Sequence, residues 1–151
     1  MKHTLSLFIL LSTGFLLNSS TPKEMQGSEI VVVLNPNNPV TSMTAGEVKL
    51  MWLRKIKKRW PQLKKNIKPV DRSHSCTERD QFYNKILDMS ADEVETYFIQ
   101  KQYQNAEKPP EKFSSEKEVI DFVSNEPGAI GFVSSAVAHA SKDRVRIVFS
   151  F

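Results

Sequence analysis

A run of five apolar residues, Ile30–Leu34, places the strongest constraint on the fold of this chain. Its β-branched side chains favour a strand over a helix, and the absence of a polar residue indicates burial on both faces. Such runs are typical of strands in parallel sheets, which helices cover on both sides. We therefore predict a central, parallel strand here, which the proline-rich segment Asn35–Pro39 ends.

Strand and helix patterns alternate along the rest of the chain. The segments Ile67–Val70 and Ala129–Val133 predict two more buried strands, and the glycine of the second indicates a backbone that another group approaches closely. The segment Arg144–Phe151 alternates, which predicts a last strand with one apolar face, made of Val145, Ile147, Phe149 and Phe151.

Four Ser/Thr-x-x-Glu pairs have the spacing of a helix capping box. They predict helix starts at Thr44/Glu47, Ser75/Glu78, Ser90/Glu93 and Ser115/Glu118. Strands that alternate with helices indicate an α/β fold in which helices flank a mostly parallel sheet. We expect this domain to span residues 29–151, with residues 105–110 as a polar connection inside it.

The N-terminal residues resemble a secretory signal. Lys2 and His3 form a short basic region, Leu5–Leu17 is mostly apolar, and small or polar residues follow up to Ser20. The apolar run is short for a bilayer-spanning helix. We therefore predict a signal peptide at residues 1–20, a linker at 21–28, and a periplasmic or secreted protein with no membrane span after cleavage.

Positive charge is concentrated in one stretch of a chain whose formal net charge is +4. Arg54–Lys68 contains eight Lys and Arg residues and no acid. Export argues against a nucleic-acid partner for these cations. Two interpretations stay open: a solvated basic face, or a surface that docks on an acidic protein or an anionic lipid surface.

The segment Asp71–Asp80 contains the best candidate for a binding site. It follows the predicted strand Ile67–Val70, and ligands of open α/β sheets bind beyond the carboxyl ends of the strands. Ser75 and Thr77 supply hydroxyls at a helix start, where partial positive charge attracts anions, and arginines at 72 and 79 flank them. The pattern predicts a small-oxyanion site; the alternative is an ordinary helix cap between solvated arginines.

Other chemistries have weak support in the sequence. His74 and His139 have no acid at a spacing that would orient them for nucleophilic catalysis, so we predict no enzyme activity. Asp71, His74 and Cys76 are close in sequence, but no second cluster completes a metal site. Cys76 is the only cysteine, which excludes an internal disulfide and favours a small residue that fills space. We expect no cofactor.

Several motifs together resemble a known family over residues 30–137. Ile67–Arg72 is similar to the strand that leads into the site of the phosphate-binding proteins of bacterial ABC importers, and Ala45–Pro61 is similar to their helix, loop and Trp segment. Pro127–Val133 resembles their Pro-Gly-Ala-Ile-Gly-Tyr-Val segment. The resemblance implies a type II periplasmic binding-protein fold and phosphate-binding residues at Arg72, Ser75, Cys76 and Thr77, where the family has Ser-Gly-Thr at the last three.

The chain also departs from that family. It lacks most of the sequence of the first lobe, Asn35–Pro39 replaces a loop rich in glycine and serine, and Arg72 is one residue nearer to Ser75 than in the family. Cys76 and Arg54 each stand where the family has glycine, and a Cβ at Cys76 would forbid a left-handed backbone.

Two functions therefore stay open. The first is an exported solute-binding protein that binds phosphate or a similar oxyanion and works with an ABC importer in phosphate uptake. The second is a degenerate binding fold that acts as a periplasmic protein-interaction or accessory module without phosphate binding.

Overall fold

A computed structural model describes residues 29–55 and 59–151, so the predicted signal peptide and linker at residues 1–28 lie outside the described residues. The strands are β1 Ile30–Leu34, β2 Lys68–Arg72, β3 Glu111–Phe113, β4 Ala129–Ser134 and β5 Arg146–Ser150. The helices are α1 Ala45–Trp52, α2 Thr77–Phe82 with a π-helical continuation Tyr83–Leu87, α3 Ala91–Asn105, α4 Glu116–Asn125 and α5 Ser135–Ala140. In the described part of the chain, no helix has the length and apolar character needed to cross a bilayer.

The five strands form one mixed sheet in the order β3-β2-β4-β1-β5. Strand β2 is parallel to β3 and β4, whereas β1 is antiparallel to both of its neighbours, β4 and β5. The predicted α/β fold with helices flanking a sheet is confirmed, as is the complete burial of β1. The predicted parallel direction of β1 is wrong, because an apolar run reports burial on both faces and contains no information about the partner's direction.

Three of the four predicted capping boxes are present. The hydroxyls of Thr44, Ser90 and Ser115 accept from the backbone N–H three residues later, and the glutamates bond back to the cap residue. The fourth, Ser75/Glu78, is wrong: Cys76 is the N-cap of α2 and no side chain caps this helix. Strand β3 is an element that the sequence analysis missed, since it follows the predicted connection directly and has only three residues.

The predicted single apolar face of the last strand is also wrong. Val145 and Ile147 contact the core under α4, whereas Phe149 and Phe151 contact the core on the opposite side of the sheet. The cause is a shift of register against β1, in which Val33 pairs with Ile147 and the preceding Val32 pairs with Phe149. One extra residue in β5 transfers the following side chains to the other face.

A hydrophobic core lies on each face of the sheet. On one face Trp52, Phe82 and Phe132 pack together, with ring centroids 4.3–5.6 Å apart. The other core packs α4 onto β4 at Gly131, where an added Cβ would lie 2.9 Å from Val119 and 3.0 Å from Val70. The close approach expected at the glycine of β4 therefore comes from the side chains of Val119 and Val70.

A buried tryptophan, Trp60, connects the described end of the basic segment, residues 59–68, to the residue before β4. The indole N–H of Trp60 donates to the carbonyl of Gly128 at 2.9 Å, and the Trp60 side chain is buried. Arg54 has a φ of 56°, a left-handed conformation that glycine adopts most easily. The glycine of the family at this position therefore matches a real backbone requirement, which Arg54 meets at some cost in strain.

Candidate functional site

The four predicted site residues lie together where β2 ends and α2 begins. Arg72 is the last residue of β2, Ser75 and Cys76 belong to the following turn, and Thr77 is the first residue of α2. This juxtaposition depends on the strand–turn–helix order, which the sequence pattern predicted. Whether these residues bind a ligand stays a prediction.

Arg72 is the most constrained of the four. Its side chain is 11% exposed, its Nη2 donates to the carbonyl of Ser114 at 3.3 Å, and its Nη1 lies 3.9 Å from a carboxylate oxygen of Glu78. Its Nε and Nη1 are buried and have no hydrogen-bond partner. Buried donors are nearly always paired in proteins, so these two nitrogens mark a place where an acceptor would be favourable.

The hydroxyls at the helix start are exposed, and one of them is engaged. Ser75 Oγ donates to the Asp80 carboxylate, at 3.1 and 3.3 Å from its two oxygens. Thr77 is exposed and its hydroxyl makes no hydrogen bond with a described residue. An oxyanion at this position would have to displace Asp80 from Ser75 and would also meet the charge of Glu78.

Cys76 does not strain the backbone. Its φ is −154°, which is extended backbone that any residue adopts, so the glycine of the family is not required here for conformational reasons. Burial raises the pKa of its thiol, which keeps the sulfur protonated and unreactive at neutral pH. The thiol is partly exposed, which is consistent with a small residue that occupies space at the helix start.

A buried Asp71–Tyr83 pair adjoins this site, and the sequence analysis did not identify it. Asp71 is 2% exposed and accepts hydrogen bonds from the Tyr83 hydroxyl at 2.5 Å and the Arg72 N–H at 2.7 Å. The Arg79 guanidinium lies 5.6 Å from the centre of the Tyr83 ring. A carboxylate at the end of a buried strand, followed by an aromatic hydroxyl on the next helix, is the signal that would have found this pair.

Burial raises the pKa of Asp71, although the hydrogen bonds from Tyr83 and Arg72 oppose the shift. An aspartate in an unfolded chain titrates near pH 4, so the folded state binds this proton more tightly. The contribution of Asp71 to stability is therefore complete below about pH 4 and is lost as pH rises through the raised pKa. As the pH rises through the raised pKa of Asp71, we expect the free energy of unfolding of Asp71→Asn to increase relative to that of wild type.

Urea unfolding of both proteins at successive pH values measures this difference. Carboxylates whose pKa is lowered, such as Glu126 beside Lys68, change the stability of both proteins with pH in the opposite direction. Comparing the two proteins at each pH cancels that contribution. Tyr83→Phe removes a hydrogen bond to the ionised Asp71 and should extend the loss of stability to higher pH. A difference between Asp71→Asn and wild type that is constant with pH would contradict the prediction.

Comparisons with solved structures identify the architecture. The chain matches a Clostridium perfringens protein described as a phosphate ABC transporter substrate-binding protein, solved with bound phosphate, with a TM-score of 0.62 and 22% identity. It also matches PstS from Borrelia burgdorferi (TM-score 0.59, 18% identity) and an ABC-type phosphate transport receptor from Vibrio cholerae (TM-score 0.60, 20% identity). Each match covers 80% of this chain.

The chain has the fold of these substrate-binding proteins. It spans less than half of their length, with 45%, 47% and 46% of the three structures covered. No protein-family model matches the chain, and no curated protein matches it in sequence. The family resemblance that the sequence motifs carry is therefore supported at the level of the fold.

Proposed function

We propose that this chain is an exported solute-binding protein that binds phosphate or a similar small oxyanion where α2 begins. Arg72, Ser75, Cys76 and Thr77 would hold the anion. The single observation that carries the proposal is the pair of buried guanidinium nitrogens of Arg72 that make no hydrogen bond, beside the N-terminus of a helix. A planar guanidinium offers paired donors that match the oxygens of phosphate.

The structural neighbours support the same chemistry. One of them was solved with bound phosphate, and another is a phosphate transport receptor. By analogy we propose that this chain works with an ABC importer in phosphate uptake, and that its role is binding, with no catalytic step. The exposed hydroxyls and the competing Asp80 indicate a wet site and therefore weak affinity.

Thermal unfolding with and without millimolar phosphate tests this function, with chloride at matched ionic strength as the reference. A ligand at a hundredfold its dissociation constant stabilises a protein by about 2.7 kcal/mol, which for a chain of this size raises the midpoint by on the order of 10 °C. We expect a phosphate-specific increase in wild type that Ser75→Ala/Thr77→Ala and Arg72→Met each reduce.

The matched control is Thr96→Ala/Ser150→Ala, which removes two exposed hydroxyls outside the site. It should retain the full response to phosphate. No response in wild type, or an equal response in all variants, would contradict oxyanion binding at this position and would favour the accessory-module alternative.

A further inference from the structure

A cavity of about 310 Å³ lies behind the Asp71–Tyr83 pair, away from Ser75 and Thr77. Three parts of the chain enclose it: the end of β2 with α2, one face of α3, and Pro109, Pro110 and Lys112 where the chain enters β3. Its volume is at the lower end of the range of ligand pockets, about 300–1,000 Å³, which restricts an occupant to a small molecule.

The walls of the cavity carry charges of both signs that lack hydrogen bonds. Lys112 from β3, and Asp92 and Glu95 from α3, make no hydrogen bond with a described residue. Arg79 of α2 lies over the Tyr83 ring with its side chain 14% exposed, and its Nε makes no hydrogen bond but lies 3.8 Å from a carboxylate oxygen of Asp80. Two cations, Arg79 and Lys112, and two exposed carboxylates, Asp92 and Glu95, therefore line the space, next to the buried Asp71 that interacts with both cations.

An apolar wall completes the cavity. Val94 and Phe98 of α3 are buried behind it, and Ile99 lines it with 49% of its surface exposed. Ile99 is one of two large apolar side chains, among the described residues, that are strongly exposed. A half-exposed isoleucine beside a partly apolar cavity is a surface that a ligand's hydrocarbon group would cover favourably.

We propose that this cavity binds a small zwitterion with an apolar side group, the chemistry of a free α-amino acid. The ligand carboxylate bonds to the donors of Arg79 and Lys112, its ammonium group to the acceptors of Asp92 and Glu95, and its side group packs on Phe98 and Ile99. A purely anionic ligand would be repelled by the α3 carboxylates, and a purely cationic ligand would be repelled by Arg79 and Lys112. The proposal is independent of oxyanion binding at Ser75 and Thr77.

Isothermal titration of the purified protein with L-leucine tests the proposal, with L-alanine and L-phenylalanine as smaller and larger probes. Two analogues of leucine each keep only one of its charged groups: 4-methylpentanoate lacks the ammonium group, and 3-methylbutan-1-amine lacks the carboxylate. We expect at least one amino acid to bind, and each singly charged analogue of leucine to bind about tenfold more weakly than leucine or worse, because each loses a charge-assisted hydrogen bond.

Two substitutions locate the site. Glu95→Gln keeps the shape of an exposed side chain and should weaken amino-acid binding, whereas Glu111→Gln removes a charge from a strand residue outside the cavity and should not. Ile99→Trp should close the cavity and abolish binding, while Ser75→Ala/Thr77→Ala should leave amino-acid binding intact and affect only the response to phosphate.

Three results would overturn the proposal: no binding of any of the three amino acids, equal binding of leucine and a singly charged analogue, or unchanged binding in Glu95→Gln. Circular dichroism and thermal unfolding of each variant show that it is folded. Because the oxyanion variants and the cavity variants have separate readouts, failure of one binding activity is distinguishable from failure of the other.

Discussion

Replacing Phe82 by alanine is expected to lower the free energy of unfolding by about 3–5 kcal/mol, the usual cost of truncating a fully buried large aromatic side chain. Phe82 is 0% exposed, stacks on Phe132 at a centroid distance of 4.3 Å and contacts Trp52 at 4.6 Å. The ring joins α2 to the sheet and to α1, so its loss leaves a cavity that the surrounding aromatic rings cannot fill. This cost is a large fraction of the roughly 5–15 kcal/mol by which domains are stable.

Urea unfolding followed by circular dichroism measures this effect. The matched control is Tyr103→Ala, an aromatic residue on α3 that is 88% exposed and whose truncation should change the stability by no more than about 0.5 kcal/mol. Equal stabilities of Phe82→Ala and Tyr103→Ala would show that the aromatic cluster is not part of the folded core.

Gly128→Ala is expected to produce the second large loss of stability, about 1–3 kcal/mol or more from overpacking. An added Cβ at this position would lie 2.1 Å from the backbone oxygen of Asn66, and a backbone atom cannot move aside as a flexible side chain does. The carbonyl of Gly128 also accepts from the Trp60 indole and the Lys68 N–H, each at 2.9 Å. Displacing Gly128 therefore disturbs the anchor of the basic segment as well.

Gly46→Ala is the control for this substitution. An added Cβ at Gly46 would meet no atom within 4 Å, and Gly46 lies inside α1, where alanine is favoured over glycine by up to about 1 kcal/mol. Chemical denaturation of the two variants should therefore give changes of opposite sign. A neutral Gly128→Ala would mean that Asn66 does not approach this backbone in solution.

The local elements were predictable because their signals lie within a few residues of one another. A capping box needs only a hydroxyl and a glutamate three residues apart, and Thr44, Ser90 and Ser115 all form one. Ser75 has the same spacing and forms none: Cys76 is the N-cap of α2, and the Ser75 hydroxyl bonds to Asp80. A local pattern identified where α2 begins, but it did not identify which polar groups would compete there.

The candidate site was predictable only in part. The turn that brings Arg72 near Ser75 and Thr77 follows from a strand that runs directly into a helix, which the sequence contains. The two guanidinium nitrogens of Arg72 that make no hydrogen bond depend on burial, and the Asp71–Tyr83 pair depends on how α2 packs on β2. The amino-acid cavity requires α3 and β3 to lie beside them, and no local pattern contains that arrangement.

The sequence by itself determined where α1, α3 and α4 begin, the burial of β1 and β4, and the strand–turn–helix segment that contains the candidate oxyanion site. These properties depend on side-chain periodicity and on contacts between near neighbours in the chain. Only the tertiary structure decided that β1 is antiparallel to its neighbours, that β5 shifts its register, and that charges of both signs line one cavity. Those features depend on contacts between residues far apart in the chain, whose pairing no local pattern encodes.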